Sequence, residues 1–325
     1  MARFGSILLT LIFLGAVAAV MGLRWYTQET TAPGPLAAEK LVVIEPGHST
    51  KAISAELYEE GVIRSPLAFL VDARLQNMKA GMKAGEYQLL PGMSIDSIIA
   101  LLQSGKTYQH KLTIPEGLTV AEIAGILKNE PALAGDIAAL PPEGSLLPET
   151  YKFTRGTPRT VFLARMQEAM QQELNGLWEK RAADLPLSRE EAVVLASIVE
   201  KETALPAERP RVAGVFLNRL HKGIPLQSDP TVIYALTHGQ ARLERSLTHD
   251  DLKTPSAYNT YIATGLPPTA IANPGKASIA AVLNPEKNNY LYFVANGSGG
   301  HSFAATLKEH NNNVAHWRLL RKNAN

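Results

Sequence analysis

The chain has no cysteine, which excludes disulfides, thiol catalysis and cysteine-ligated metal together. It also lacks a surplus of either charge. Its 32 basic and 30 acidic side chains are interleaved for a net charge of +2, so no basic face of the kind that follows a phosphate backbone is present. Nucleic acid is not expected as a partner. His301, Glu309 and His310 lie near the C-terminus, but no H-E-x-x-H pair exists, so neither a metal nor any other cofactor is expected. Gly297-Ser298-Gly299-Gly300 lacks the G-x-S-x-G elbow of a serine hydrolase. The disorder signature is missing too: 46% of residues are hydrophobic and 19% charged. At 325 residues the chain has room for an anchor and two globular units.

What is present begins with an uncharged run from Phe4 to Leu23. At about 1.5 Å per residue such a run crosses the roughly 30 Å of a bilayer core. Arg3 and the α-amine precede it and Arg24 follows. With no later span expected, the rest of the chain lies on one side, read as N-terminus in and C-terminus out. A cleaved signal peptide is the competing reading, helped by Ala16, Ala18 and Ala19, but the run is longer than the usual core of such a peptide. After Tyr26, TQETTAPGPLAAEK has no apolar period and reads as a polar tether.

Three later segments share one pattern. Gly47, Gly92 and Gly117 are each followed by a hydroxyl residue (Ser49, Ser94, Thr119), then by Ile53, Ile98 and Ile123, then by Leu57, Leu102 and Leu127. The pattern predicts a short strand, a Pro/Gly turn, a hydroxyl N-cap and a helix burying one face. Thr119 with Glu122 also fits the reciprocal capping box. The unequal spacing argues for separate βα modules rather than a solenoid. The first two modules, with Gly85–Leu89 as a strand, resemble a LysM-like glycan-binding domain; the alternative is a spacer above the membrane. Further on, a helix is expected from about Pro158 to Asp184, a hairpin over Tyr290–Ala295 and His301–Phe303 about an Asn296-Gly297 turn, and a final helix from about Thr306 to Arg321. The fold class expected is α+β.

Ser188-Arg189-Glu190-Glu191 opens a helix with a hydroxyl cap and acids in its first turn. Leu195, Ile198, Val199 and Glu202 share one face, which puts the Glu202 carboxyl at the end of an aliphatic stripe. Desolvation and the negative helix end should both raise its pKa and let it donate a proton near neutrality. Glu200, on another face beside Ala196 and Ser197, is the rival acid.

Ala196-Ser197-Ile198-Val199-Glu200-Lys201-Glu202-Thr203, Val215–Leu220, Leu226–Tyr234, Thr254–Tyr261, Gly265–Pro268, Asn273-Pro274-Gly275 and Gly300–Phe303 follow in the order seen in the endolytic murein transglycosylase, or YceG-like, family, which the chain resembles. The resemblance implies a lyase that cuts the MurNAc–GlcNAc β-1,4 bond of peptidoglycan strands, leaving 1,6-anhydro-MurNAc ends. It implies Glu202 as the catalytic group and residence in the inner membrane, with the C-terminal part periplasmic. Penicillin-binding proteins or other wall-synthesis machinery are implied as partners.

Residues proposed to bind substrate are Asn218, Gln227, Asp229, Tyr258, Asn259 and Tyr261. All but Gln227 have a structural alternative, such as Asp229 capping the helix that begins at Pro230. The expected domains are an anchor (1–25), a tether (26–40), a LysM-like part (41–108), a connecting βα unit (109–155) and a catalytic domain (156–325). A non-catalytic glycan-binding scaffold and a conventional muramidase remain the alternatives.

Overall fold

The computed structural model describes residues 2–76 and 81–324. Met1, whose α-amine entered the reading of the anchor, lies outside the described residues, as does the side chain of Arg3. The chain forms two compact units, one of residues up to 110 with 153–155, the other of residues 111–152 with 156 onward.

The first unit begins with α1 (Ala2–Thr31), whose portion from Ile7 is apolar and long enough to cross a membrane. The helix does not stop where the apolar run stops. It continues to Thr31, through the first part of the stretch expected to be a structureless tether. The Thr27 hydroxyl donates back to the Leu23 and Arg24 carbonyls (3.0 and 3.1 Å) and the Thr31 hydroxyl to that of Thr27 (2.6 Å). These bonds absorb polar groups that would otherwise compete with the helix.

Next come β1 (Lys40–Ile44), α2 (Thr50–Glu59), α3 (Pro66–Leu75), β2 (Gly85–Leu89) and α4 (Ile95–Ser104). β1 and β2 pair antiparallel, Lys40 opposite Leu89 and Ile44 opposite Gly85. The Tyr26 hydroxyl donates to Asp72 of α3 at 2.7 Å, docking the end of α1 on this unit. Ile53, Leu57, Phe69, Tyr87, Ile98 and Leu102 fill the core. α3 has its own start signal, Ser65 accepting from the Ala68 N–H with Pro66 at the first turn, a pattern not used in the sequence reading.

The chain continues through β3 (His110–Thr113), α5 (Val120–Asn129), β4 (Leu133–Ala134), β5 (Thr150–Phe153) and β6 (Thr157–Pro158), with β4 parallel to β6. Ser49, Ser94 and Thr119 cap α2, α4 and α5 as expected, each accepting a backbone N–H, and the capping box of Thr119 and Glu122 is complete. The paired Ile and Leu residues of all three helices are buried. Gly47, Gly92 and Gly117 have φ of +84°, +70° and +75°, which explains glycine in each turn.

The second unit is organised around α7 (Arg189–Glu202). Its other helices include α6 (Arg159–Trp178), α8 (Arg209–His221), α9 (Asp229–Thr237) and α10 (Lys276–Leu283). Leu195, Ile198 and Val199 of α7 are fully buried against Val212 and Phe216 of α8, Ile279 and Val282 of α10, and Met170 and Leu174 of α6. Burying each such side chain contributes about 1.5–3 kcal/mol, so the element carrying Glu202 is held on several sides. α6 ends at Trp178, earlier than the expected Asp184.

β7 (Tyr292–Ala295) and β8 (His301–Ala304) form the expected hairpin. Asn296 begins its connection and accepts from the Ser298 and Gly300 N–H groups. α11 (Leu307–Ala324) closes the chain and packs on both strands. The whole is a mixed α+β structure with an apolar N-terminal helix.

Candidate active site

Ser188 accepts from the Glu191 N–H while Glu191 reaches back to the Ser188 N–H, so α7 starts with a full capping box. It ends at Glu202 because Thr203 is extended (φ −139°, ψ 129°), and the Thr203 hydroxyl turns to Glu208 at 3.3 Å. Glu202 is therefore the last helical residue, half-buried. Burial pushes its carboxyl up to about 7, aided by nearby Asp229 and opposed by a hydrogen bond from Ser228 and by His301 and Arg219. The Ser228 hydroxyl donates to Glu202 Oε1 at 2.5 Å.

Glu200, the rival on the same helix, has a different fate. Its Oε1 accepts from Arg209 at 2.9 Å and its Oε2 from the Gly275 N–H at 2.9 Å. Arg209 also reaches Glu116 at 3.3 Å, and the Glu116 carboxyl is pushed up by burial and by Glu200. This cluster ties α7, α8 and the start of α10 together. Asn273 supports the same region, exchanging backbone bonds with Gly117 and Leu118 and accepting from the Leu146 N–H at 3.0 Å. A second carboxyl, Glu143, is also pushed up to about 7 by burial, but it receives the Val120 N–H and serves the start of α5.

Glu202 opens into a cleft of about 650 Å³ with Arg219, Gln227, Asp229, Tyr261, Tyr292 and Phe293, walled on one side by His310, Val314, Trp317 and Arg318 of α11. Arg219 is buried. Its guanidinium donates to the carbonyls of Leu291 (2.6 Å), Pro225 (3.0 Å) and Leu226 (2.8 Å) and to Gln227 Oε1 (3.3 Å), and lies 5.2 Å from the Tyr292 ring centroid. Burial lowers its pKa from the ordinary arginine value.

Gln227 has φ +52°, a left-handed conformation rare for a residue with a Cβ, and its N–H donates to the Thr260 carbonyl at 2.9 Å. Asp229 is exposed and accepts from the Tyr261 hydroxyl at 2.6 Å; burial and this bond push the Tyr261 pKa up. The expected role of Asp229 as N-cap is not realised. Ser228 occupies the cap and Asp229 the first helical position, because the Ser228 N–H is held by Thr260 at 3.0 Å. The Ser228 side chain makes no cap bond and is left for Glu202.

The cleft thus gathers Glu202, Gln227, Asp229 and Tyr261 from the sequence reading. Three others lie outside its lining. Asn218 spends its amide on Asn288 and Tyr290 and lines a separate cavity. Asn259 is fully buried and donates to the Leu252 and Thr254 carbonyls. Tyr258 packs against Tyr234 with tilted rings, centroids 4.9 Å apart, and bonds Thr269. The sequence reading missed Ser228, the depth of Arg219 and the α11 wall. A serine just before Asp-Pro at a helix start was the available signal for Ser228. Another cavity, of about 360 Å³ around Tyr234 and Arg242, holds none of the candidate catalytic or substrate-binding residues. Among the described residues no three His, Asp or Glu side chains gather as metal ligands.

An α+β chain with an apolar N-terminal helix and a cleft built on one near-neutral glutamate matches the YceG-like family over residues 42–316, and it belongs to that family. It is 35% identical to the endolytic murein transglycosylase of Bacillus subtilis (strain 168) over 302 residues, 82% of each chain. It is 29% identical to the endolytic murein transglycosylase of Streptococcus pneumoniae (strain ATCC BAA-255 / R6), over 89% of this chain but 61% of that one. A crystal structure of a yceG-like protein from Listeria monocytogenes is similar over 85% of this chain and 99% of its own, with 34% identity and a TM-score of 0.53.

Proposed function

We propose that this protein is a membrane-anchored endolytic lytic transglycosylase of peptidoglycan with Glu202 as its acid and base. The observation that carries the reading is a carboxyl with a pKa of about 7 at the floor of an open cleft. A group titrating near working pH can serve as acid in one step and base in the next. In the first, the protonated carboxyl gives its proton to the glycosidic oxygen as the bond to MurNAc C1 breaks, and GlcNAc leaves with a free hydroxyl. In the second, the carboxylate takes the proton of the MurNAc 6-OH as that oxygen bonds C1, closing the 1,6-anhydro ring and restoring the acid. The nucleophile is intramolecular, so its effective concentration is high and no water need be held. Ser228 steadies the charged form between the steps.

The reading extends beyond the cleft. Residues 1–25 serve as a single-pass anchor in the inner membrane, N-terminus cytoplasmic and C-terminal part periplasmic, with 26–40 linking it to the rest. Residues 41–108 act as a LysM-like glycan-binding part, supported by their own core and their strand–helix–helix–strand order. Residues 109–155 connect to a catalytic domain over 156–325. Gln227, Asp229 and Tyr261 contact substrate. Asn218, Tyr258 and Asn259 support the walls. Cutting of nascent strands beside penicillin-binding proteins would terminate their elongation.

A conventional muramidase is the second reading, favoured by Asp229 in the same cleft, since hydrolysis needs a second carboxylate. The test is digestion of purified sacculi by the full-length chain in detergent, wild type against Glu202→Gln, with products weighed. Anhydro ends from the wild type alone are expected. Reducing ends, heavier by one water, would mean hydrolysis, and products unaffected by the substitution would mean that Glu202 is not the acid.

A further inference from the structure

The cleft has a wall that the proton transfers leave unused. On α11, positions 310, 314 and 317 follow the i, i+4, i+7 spacing of one helix face, with 318 beside them, and all four line the cleft. Trp317 and Arg318 lie just past residue 316, where the match to the YceG-like family ends.

Charge in the cleft is unbalanced. Arg219 spends its hydrogen bonds on carbonyls and an amide oxygen, none of them charged. The Arg318 guanidinium makes no hydrogen bond or ion pair with any described residue. Against these two guanidiniums stand Asp229, held by Tyr261, and Glu202, which is largely protonated below about pH 7. An anionic ligand is therefore favoured, and a planar guanidinium suits a carboxylate. Trp317 adds a flat, half-buried surface, one face of which is covered by Arg321 at 5.1 Å. An indole presenting an apolar face with a polar edge is suited to a sugar ring. His310 Nδ1, buried and without a partner, completes the wall.

The geometry points to α11 as a subsite for the peptide-bearing sugar: Trp317 packs against a ring of the glycan, and Arg318 pairs with a carboxylate of the peptide carried by MurNAc. This deepens the transglycosylase reading and rests on it. The consequence is a preference for strands whose peptides keep their negative charge.

The test compares kcat/KM on native strands with kcat/KM on the same strands after carbodiimide amidation of their carboxylates, using the full-length chain in detergent. The wild type is expected to favour native strands by about tenfold, the worth of a charge-assisted pair. Arg318→Ala should abolish that preference, Arg318→Lys should keep part of it, and Trp317→Ala should raise KM for both strands alike. Equal wild-type rates on the two strands, or a preference retained in Arg318→Ala, overturns the subsite while leaving the transglycosylase reading intact. Absence of anhydro ends from the wild type on both strands overturns that reading and the subsite with it.

Discussion

Ser228, which stands at the N-cap of α9, donates its hydroxyl to Glu202 Oε1 at 2.5 Å instead of capping its own helix. The helix loses a cap bond worth about 1 kcal/mol, and Glu202 gains a donor that favours its charged form. Burial still outweighs that donor, and the carboxyl stays near 7.

Ser228→Ala removes the donor. The Glu202 pKa should rise by about one unit or more, the equivalent of a hydrogen bond to a charged group. The alkaline limb of the kcat/KM profile should move up in pH. A profile that stays in place while activity falls would show that Ser228 only shapes the loop.

Glu202→Gln should lower kcat by about 10²–10⁴, the usual worth of a general acid and base. It should also stabilise the protein at alkaline pH. The folded pKa is raised above the ordinary 4.5, so the folded state holds more protons than the unfolded one between those values, and stability falls as pH rises through about 7. Removing the carboxyl abolishes that loss, about 1–3 kcal/mol at pH 8. Thermal melts of both proteins should converge near pH 4 and separate by pH 8.

Glu200→Gln tests the rival acid. Its partners Arg209 and Gly275 make it a structural anchor, and breaking a buried ion pair costs about 3–5 kcal/mol. Melting temperature should fall clearly, while the product remains a 1,6-anhydro end and the pH profile keeps its shape. Loss of anhydro product from a still-folded variant would move the acid role to Glu200.

Gly214 lies inside α8, where alanine would ordinarily gain about 1 kcal/mol. Here an added Cβ would fall 2.6 Å from Asn288 Nδ2 and closer still to the Glu286 backbone oxygen. Overpacking of this kind costs about 1–3 kcal/mol, so the steric effect should win. Gly214→Ala is expected to lower the denaturation midpoint, and a rise would show that the segment before β7 can move aside.

Much of this architecture was legible because it is local. The caps at Ser49, Ser94 and Thr119 and the apolar stripe ending at Glu202 are read within one or two helical turns, and the structure has them. α3 left a comparable signal in Ser65-Pro66 that went unused. The helical continuation to Thr31 was hidden because polar side chains there bond back to their own helix.

By itself the sequence determined the apolar N-terminal helix, the capped βα segments and a glutamate at the end of a buried stripe, since spacing of 3.6 residues and hydroxyl caps are written in neighbouring positions. Only the tertiary structure decided which glutamate is neutralised by an arginine and which faces the cleft. It alone brought Ser228 to Glu202 across 26 positions and set α11 as a wall of the same cleft. Contacts of that range depend on how loops turn and helices pack, and they leave no periodic trace in the order of residues.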